Sequence, residues 1–366
     1  MAAILSGPSV SNLGGVTRDQ SSLQPVSGDA EGILALLRVW DAAPDPQPLV
    51  IETSGSTGRP KKVMLSRDAM RASALATSER LGGPGQWVLN LPPTYVAGVQ
   101  VLYRSVVAGT EPLLHSGSFA RDVEHLAGRS YVSLVATQLR RLVELPDELD
   151  ALAEFDAVLL GGGPVQEWVR QRAEANGVPV VATYGMSETC GGCVYDGVAL
   201  PGAEFRIDPD PDGPGGQVLL RGPMVFDGYQ DEPERTAAAF RDGWLVTNDI
   251  GHLAWDGSLR IDARSDDVII SGGVKVPPQA VERMVGDHFA LDLAVVGAPD
   301  DEWGERVVVV VAVEGDHDGW LTLDRIREAV EPRTWAPRQL VLVGELPRLP
   351  NGKPDRGAIK KLAADA

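Results

Sequence analysis

Residues Thr53-Ser54-Gly55-Ser56-Thr57-Gly58-Arg59-Pro60-Lys61 set hydroxyl side chains and two glycines in front of a lysine, directly behind the apolar run Leu49-Val50-Ile51. Glycine permits turns that aim successive backbone N–H groups into one concavity, and the hydroxyls can donate beside them. The stretch therefore has the makings of a phosphate cradle, with Lys61 as its point charge. Its order departs from the Walker A pattern, G-x-x-x-x-G-K-[ST], so a kinase- or GTPase-type loop is a poor match. Ser, Thr, Gly and Pro also crowd into plain surface turns, and the loop gains meaning only with partners elsewhere in the chain.

Four further stretches supply such partners. Val178-Pro179-Val180-Val181-Ala182 reads as a strand and runs into Tyr184-Gly185-Met186-Ser187-Glu188-Thr189, which offers an aromatic ring, a hydroxyl and a carboxylate. Asp249 follows Trp244-Leu245-Val246-Thr247-Asn248, where Asn248 tolerates a left-handed backbone better than most residues. Ile261-Asp262-Ala263-Arg264-Ser265-Asp266-Asp267 leads through Val268-Ile269-Ile270-Ser271 to Gly272-Gly273, a polar turn and a glycine pair between apolar runs. Lys353 lies near the end, in Leu349-Pro350-Asn351-Gly352-Lys353-Pro354-Asp355-Arg356. A lysine at such a place is ordinarily solvated and idle.

In this order, the five stretches resemble the signatures of the adenylate-forming superfamily, which includes acyl-CoA ligases, luciferases and the adenylation domains of peptide synthetases. The resemblance implies ATP, Mg²⁺ and coenzyme A as cofactor and co-substrates. It implies that Thr53, Ser54, Gly55, Ser56, Thr57, Gly58 and Lys61 hold the departing pyrophosphate, and that Gly161, Gly162 and Gly185 lie along the nucleotide. Tyr184 would stack on adenine, Ser187 would touch the α-phosphate, and Glu188 would hold Mg²⁺, a hard cation suited to carboxylate oxygen. Asp249 would accept the ribose hydroxyls and Arg264 would reach the ribose. Asp266 would be an inter-domain pivot, Gly272 and Gly273 would line a thiol tunnel, and Lys353 would be the catalytic lysine. Three departures stand out: Asn248 replaces a usual glycine, Ala263-Arg264 replaces a common Gly-Arg pair, and the region before the phosphate loop is short.

The compact length, with Leu91-Pro92-Pro93-Thr94-Tyr95-Val96-Ala97-Gly98-Val99-Gln100-Val101 and Ser133-Leu134-Val135-Ala136-Thr137-Gln138-Leu139-Arg140-Arg141-Leu142, resembles the o-succinylbenzoate-CoA ligase branch, which serves menaquinone biosynthesis. That substrate is an aromatic dicarboxylate, and its second carboxylate calls for a donor; a guanidinium has the best shape for one. Arg141, with Tyr95, Thr137 and Gly163, is the expected lining of the acid pocket, and Arg140 competes because adjacent helical residues point in different directions. An aryl or medium-chain acyl-CoA ligase, a standalone acyl-AMP ligase serving a carrier protein, and a nucleotide sensor without catalysis all remain open at this level. Glu188, Asp249 and Lys353 together speak against the sensor.

The elements that must position these groups follow from the pattern of apolar runs. Val50-Ile51, Val88-Leu89, Glu111 to Leu114, Val132 to Val135, Val158 to Leu160 and Val178 to Ala182 alternate with helical stretches, which suggests parallel sheets covered by helices. Strands crowd together around Gln217 to Arg221 and Trp244 to Ile261, with Asp256-Gly257 marking a hairpin. Strands at Leu293 to Val296 and Val307 to Val313 and a helix from Leu323 to Val330 follow. The expected architecture is thus an α/β N-terminal domain of parallel and mixed sheets with a small β-structure, residues 1–264, followed by a small α+β domain, residues 265–366. The first 47 residues, rich in Gly, Ser and Pro with one helical stretch from Ile33 to Val39, are expected to form a modest lead-in.

Composition sets outer bounds. A chain of 366 residues exceeds one ordinary core, and 43% hydrophobic content is ordinary for a globular protein. A formal net charge of −18 argues against nucleic acid or an anionic membrane surface as partner, since both want clustered Lys and Arg. No apolar run of about 18 residues and no basic-then-apolar start is present, so no membrane insertion and a cytoplasmic location are expected. A homodimer is left open. The only cysteines, Cys190 and Cys193, are expected to be small packing residues rather than a redox pair or half a zinc site.

Overall fold

A computed structural model describes residues 23–53, 60–209, 215–313, 319–349 and 352–366. Its largest sheet has seven strands. Leu113–Leu114, Gln86–Leu89, Ser130–Val135, Ala157–Gly161 and Val180–Met186 lie parallel in that spatial order, and Gly191–Tyr195 and Val198–Ala199 extend the edge antiparallel. Parallel strands need crossovers that cover both faces, and apolar runs such as Tyr131 to Leu134, buried at every position, are what such a sheet demands. On one face Met70 and Ala74 of the Arg67–Arg80 helix and Val99 and Tyr103 of the Val96–Ala108 helix pack with Leu159. On the other, Leu139, Leu152, Val169 and Ala173 pack with Val132, Leu134, Val158 and Leu160.

One expectation is corrected here. The run Leu49–Thr53, read above as part of the parallel alternation, instead pairs antiparallel with Lys61–Leu65, which in turn pairs with Gly228–Tyr229. A short apolar run bounded by turn residues looks alike in either setting, and its partner decides. The hairpin expected at Asp256-Gly257 joins Trp244–Leu253 to Leu259–Arg264 within a five-stranded antiparallel sheet. The expected lead-in helix spans Ala30–Ala42, capped by the Asp29 side chain, which accepts from the Gly32 amide.

A separate five-stranded sheet begins at Ile269–Ser271 and contains Asp292–Asp300, Gly304–Ala312 and Gln339–Val343. Val307, Val309 and Val311 bury one face against Val281 and Val285 of the Pro278–Phe289 helix, while Val308 and Val310 bury the other against Ile359 and Ala363 of the Arg356–Asp365 helix. Two-residue alternation on a strand covered on both sides accounts for the unbroken valine run. The architecture is that of a large mixed α/β body followed by a small α+β unit. Among the described residues no helix is long and apolar enough to cross a membrane.

Candidate functional site

Thr53 and Lys61 face each other across the hairpin of the small antiparallel sheet, so the hydroxyl-rich loop between them starts and ends at one place. Ser54, Gly55, Ser56, Thr57 and Gly58 lie outside the described residues. Lys61 Nζ stands 3.9 Å from Glu188 Oε1 and 5.7 Å from the centre of the Tyr229 ring. The Tyr229 hydroxyl donates to the same Glu188 oxygen at 2.8 Å. Glu188 is 9% exposed, in a single 3-10 turn, Ser187–Thr189, that ends the Val180–Met186 strand. Thr189 ties that turn by accepting from the Met186 amide and donating to the Gly191 carbonyl. Ser187 sits at the head of the turn, next to Glu188.

Gly185 has no room for a side chain, because a Cβ there would lie 2.1 Å from the Gly191 carbonyl oxygen. The Val180–Met186 and Gly191–Tyr195 strands can approach this closely only with glycine at that point. Cys190 and Cys193 are buried free cysteines beside it. Burial pushes the Cys193 thiol up to about 12 and the Cys190 thiol well above its ordinary value, so neither is a ready thiolate.

A second cluster centres on Asp249, 6% exposed on the Trp244–Leu253 strand. Tyr184 donates from its hydroxyl to Asp249 Oδ2 at 2.7 Å, and Arg264 Nη1 approaches Oδ1 at 3.5 Å. Burial raises the Asp249 carboxyl, opposed by the Tyr184 hydrogen bond and by Arg264. Burial, then the Asp249 charge, pushes the Tyr184 phenol well up. Arg264 also binds Asp266 through two hydrogen bonds of 2.9 and 2.8 Å, and Asn248 donates to Asp266 at 3.3 Å. Burial works to raise the Asp266 carboxyl, but the hydrogen bonds and charge of Arg264 outweigh it and leave it below its ordinary value.

Lys353 comes from the far end of the chain into this neighbourhood. A Cβ built on Gly162 would lie 3.5 Å from Lys353 Cε and 3.2 Å from Val135 Cγ1, so the lysine stem runs against the glycine turn after the Ala157–Gly161 strand. Gly162 has φ of +84°, and Gly161 lies close to the Thr183 hydroxyl; Gly163 faces open space. Lys353 is an exposed residue, yet the atoms packed around its ammonium exclude water enough to push it below its ordinary 10.5, and Arg264 adds to that while Asp249 opposes it. Thr137, in the helix Ala136–Leu142, reaches the Gly352 carbonyl with its hydroxyl at 3.4 Å.

Other expected site residues are placed apart. Gly272 and Gly273, with φ of +58° and +79°, make a two-residue hairpin between Ile269–Ser271 and Val274–Val276. Gly272 backs onto the Trp303 ring and donates its N–H to the Trp303 carbonyl, away from the Lys353 cluster. Tyr95, half-buried, precedes the first turn of Val96–Ala108. Arg141 is exposed and has no hydrogen-bond or ion-pair partner among the described residues, whereas Arg140 approaches Asp292. Sequence reasoning missed Tyr229, whose place beside Glu188 depends on the Gly228–Tyr229 strand adding to Lys61–Leu65. It also missed Asp292 and Arg348.

Among the described residues no group of three or more metal-ligating side chains gathers. One buried carboxylate beside Lys61 fits a magnesium ion, which keeps waters and completes its shell with phosphate oxygens. Glu188 is the residue that fits that part.

Residues 19–230 match the family model of the AMP-binding enzymes, and residues 282–353 match that of the AMP-binding enzyme C-terminal domain. Over 360 residues, 94% of this chain and 92% of the relative, the sequence is 42% identical to a Mycobacterium tuberculosis protein named "Probable 2-succinylbenzoate--CoA ligase". The o-succinylbenzoate CoA synthetase of Bacillus subtilis, in complex with its acyl-adenylate intermediate, matches with a TM-score of 0.73 at 28% identity, covering 85% of this chain and 68% of that one. The same enzyme in complex with ATP and magnesium ion matches with a TM-score of 0.72 at 27% identity, covering 85% and 69%.

Proposed function

The chain belongs to the AMP-binding enzyme family, and on that premise we propose that it joins 2-succinylbenzoate to coenzyme A at the expense of ATP, through an acyl-adenylate, in menaquinone biosynthesis. It is an AMP-forming acid–thiol ligase. The observation that carries the reading is the position of Lys353 against Gly162, within electrostatic reach of Asp249 and Arg264.

In the first half-reaction the substrate carboxylate attacks the α-phosphorus of ATP, and pyrophosphate leaves. Two anions meet, so positive groups must face the five-coordinate phosphorus as charge gathers on it. Lys353 is the group for that task, and Ser187 contacts the α-phosphate. Thr53, Lys61 and the loop between them hold the departing pyrophosphate. Glu188 would hold Mg²⁺, which would supply charge neutralisation at the phosphates. Tyr184 and Gly185 border the adenine, Asp249 and Arg264 take the ribose, and Gly161 and Gly162 flank the lysine.

In the second half-reaction the coenzyme A thiol attacks the acyl carbonyl and AMP leaves. We assign the pivot to Asp266, with residues 265–366 turning as a unit, so that the Gly272-Gly273 face replaces the lysine loop. Gating of this kind can limit turnover. Arg141 lies one helical turn after Thr137, on the same face of Ala136–Leu142. Its exposed guanidinium is our candidate for the second carboxylate of the acid, with Tyr95, Thr137 and Gly163 beside the ring. The cytoplasm, where ATP and coenzyme A are plentiful, is the proposed location.

The test is coenzyme A consumption by purified protein with ATP and Mg²⁺, comparing o-succinylbenzoate with benzoate and a medium-chain fatty acid. Strong preference for the succinylbenzoate is expected. Turnover of the other acids alone would retain the lysine mechanism and discard the substrate.

A further inference from the structure

Several contacts between the large body and the small C-terminal unit fall on residues 287–292. Gln166 donates its side-chain amide to the Leu291 carbonyl, and the Glu167 N–H donates to Asp287 Oδ1 at 2.6 Å. Arg140 Nη2 reaches the Ala290 carbonyl at 3.5 Å, and its Nη1 stands 3.5 Å from Asp292 Oδ2. Arg140 leans toward the Trp168 ring, 6.0 Å from its centre, and its buried Nε has no hydrogen-bond partner.

Asp292 meets a second arginine on its other side. Arg348 Nη2 donates to both Asp292 oxygens, at 2.9 and 2.7 Å. Arg348 Nη1 then donates to the Gly352 carbonyl at 3.2 Å, the peptide unit that leads into Lys353. The Thr137 hydroxyl meets that same carbonyl from the large body. One carboxylate thus faces two guanidinium groups, one on each side of the inter-unit boundary. One of those guanidinium groups holds the lysine loop.

We propose that Asp292 is a positioning residue for acyl-adenylate formation: it clasps Arg140 of the large body to Arg348 of the small unit, and so seats Gly352 and Lys353 against Val135 and Thr137. The proposal rests on the two half-reactions described above. Without the carboxylate, two cations half-buried near one another lose their shared counter-charge, and the contact between units turns from attractive to repulsive. Asp292 and Arg348 belong to the same unit and would move together in the second half-reaction. The Arg140 contact crosses the boundary, so the turning of residues 265–366 proposed above would break it. The clasp should therefore favour the first half-reaction and leave the second alone.

The experiment uses the full chain with Asp292→Asn, Asp292→Glu and Arg140→Ala. Pyrophosphate release from ATP and acid is measured separately from coenzyme A transfer onto supplied acyl-adenylate. Asp292→Asn should slow the first by roughly tenfold and leave the second unchanged, with Asp292→Glu restoring part of the loss. Arg140→Ala should add nothing once Asp292 is Asn. A measurement without substrate runs beside it: hydrogen exchange at the Leu349, Gly352 and Asp355 amides, whose bonds close the lysine loop, should quicken in Asp292→Asn. Equal losses in both half-reactions, or unchanged exchange at those amides, would overturn the proposal. Should the wild-type chain release no pyrophosphate with any acid, the functional reading fails, and the exchange experiment still decides whether Asp292 seats the loop.

Discussion

Glu188 and Asp249 sit in a frame of strand pairing and buried hydrogen bonds inside the large body, whereas Lys353 arrives on a loop held by Arg348 of its own unit and met by Thr137 from across the boundary. On the first side, Tyr229 and Tyr184 each spend a hydroxyl on a carboxylate, and Gly185 locks two strands at a distance no other residue allows. On the second, the carbonyl before Lys353 is held by Arg348 and Thr137. The contrast teaches that the Glu188 and Asp249 side is held by buried bonds within one body, while the lysine side, in the two-step reaction proposed above, is the part that would be released. Preorganised groups cost little reorganisation at the moment of reaction, and a group needed in only one of two steps is better mounted on something that moves.

The largest expected effect breaks the lysine side alone. Lys353→Ala should lower acyl-adenylate formation by about a hundredfold or more, with thioesterification of a supplied acyl-adenylate largely intact. Equal damage to both, assayed separately, would remove the lysine from its assigned step. The matching break on the other side is Gly185→Ala, whose Cβ would meet the Gly191 carbonyl oxygen at 2.1 Å and the Gly192 Cα at 2.7 Å. Backbone atoms cannot yield as a side chain would, so a loss of about 1–3 kcal/mol is expected in denaturant melts, with weaker ATP binding. An unchanged melt would show that the two strands are not locked there.

Two smaller substitutions sharpen the comparison. Tyr229→Phe deletes the hydrogen bond to Glu188 and should raise the Mg²⁺ concentration for half-maximal pyrophosphate release by about tenfold, the order expected for a bond to a charged group. The same Mg²⁺ dependence in wild type and variant would mean that Tyr229 does not orient the carboxylate. Arg141→Leu should raise the KM for succinylbenzoate by about tenfold and leave the KM for ATP alone. An unmoved acid KM would take Arg141 out of the pocket.

The smallest effect is a displacement in pH. Exclusion of water by the atoms packed around it holds the Lys353 ammonium below 10.5, and the charged form is the one that neutralises phosphate. Rising pH removes its proton early, so kcat/KM for adenylation should decline on the alkaline side before an ordinary lysine would titrate. Lys353→Arg should push that decline to higher pH, and a limb that does not move would assign it to another group.

Much of the site was legible because its groups travel in short local stretches. Tyr184, Ser187 and Glu188 share one strand end, Arg264 and Asp266 are two residues apart, and the apolar run of Val307 to Val313 marks a strand. Other features were illegible for a common reason. Leu49–Thr53 was assigned to the wrong kind of sheet because its apolar pattern does not name its neighbour. Tyr229 lies 41 residues from Glu188, and Arg140 and Asp292 are farther apart still.

From the sequence alone came the residue types and their order, a hydroxyl- and glycine-rich loop before Lys61, a carboxylate at Glu188, the pair Asp249 and Arg264, and a late Lys353, to which the family resemblance attached the proposed roles. Those depend on side-chain type and on backbone freedom within a few residues, both of which are written locally. Only the tertiary structure decided that Tyr184 meets Asp249, that Tyr229 holds Glu188, and that Asp292 stands between two arginines. Each of those meetings joins elements brought together by burying separate apolar faces, and no local pattern encodes which polar groups such packing will leave side by side.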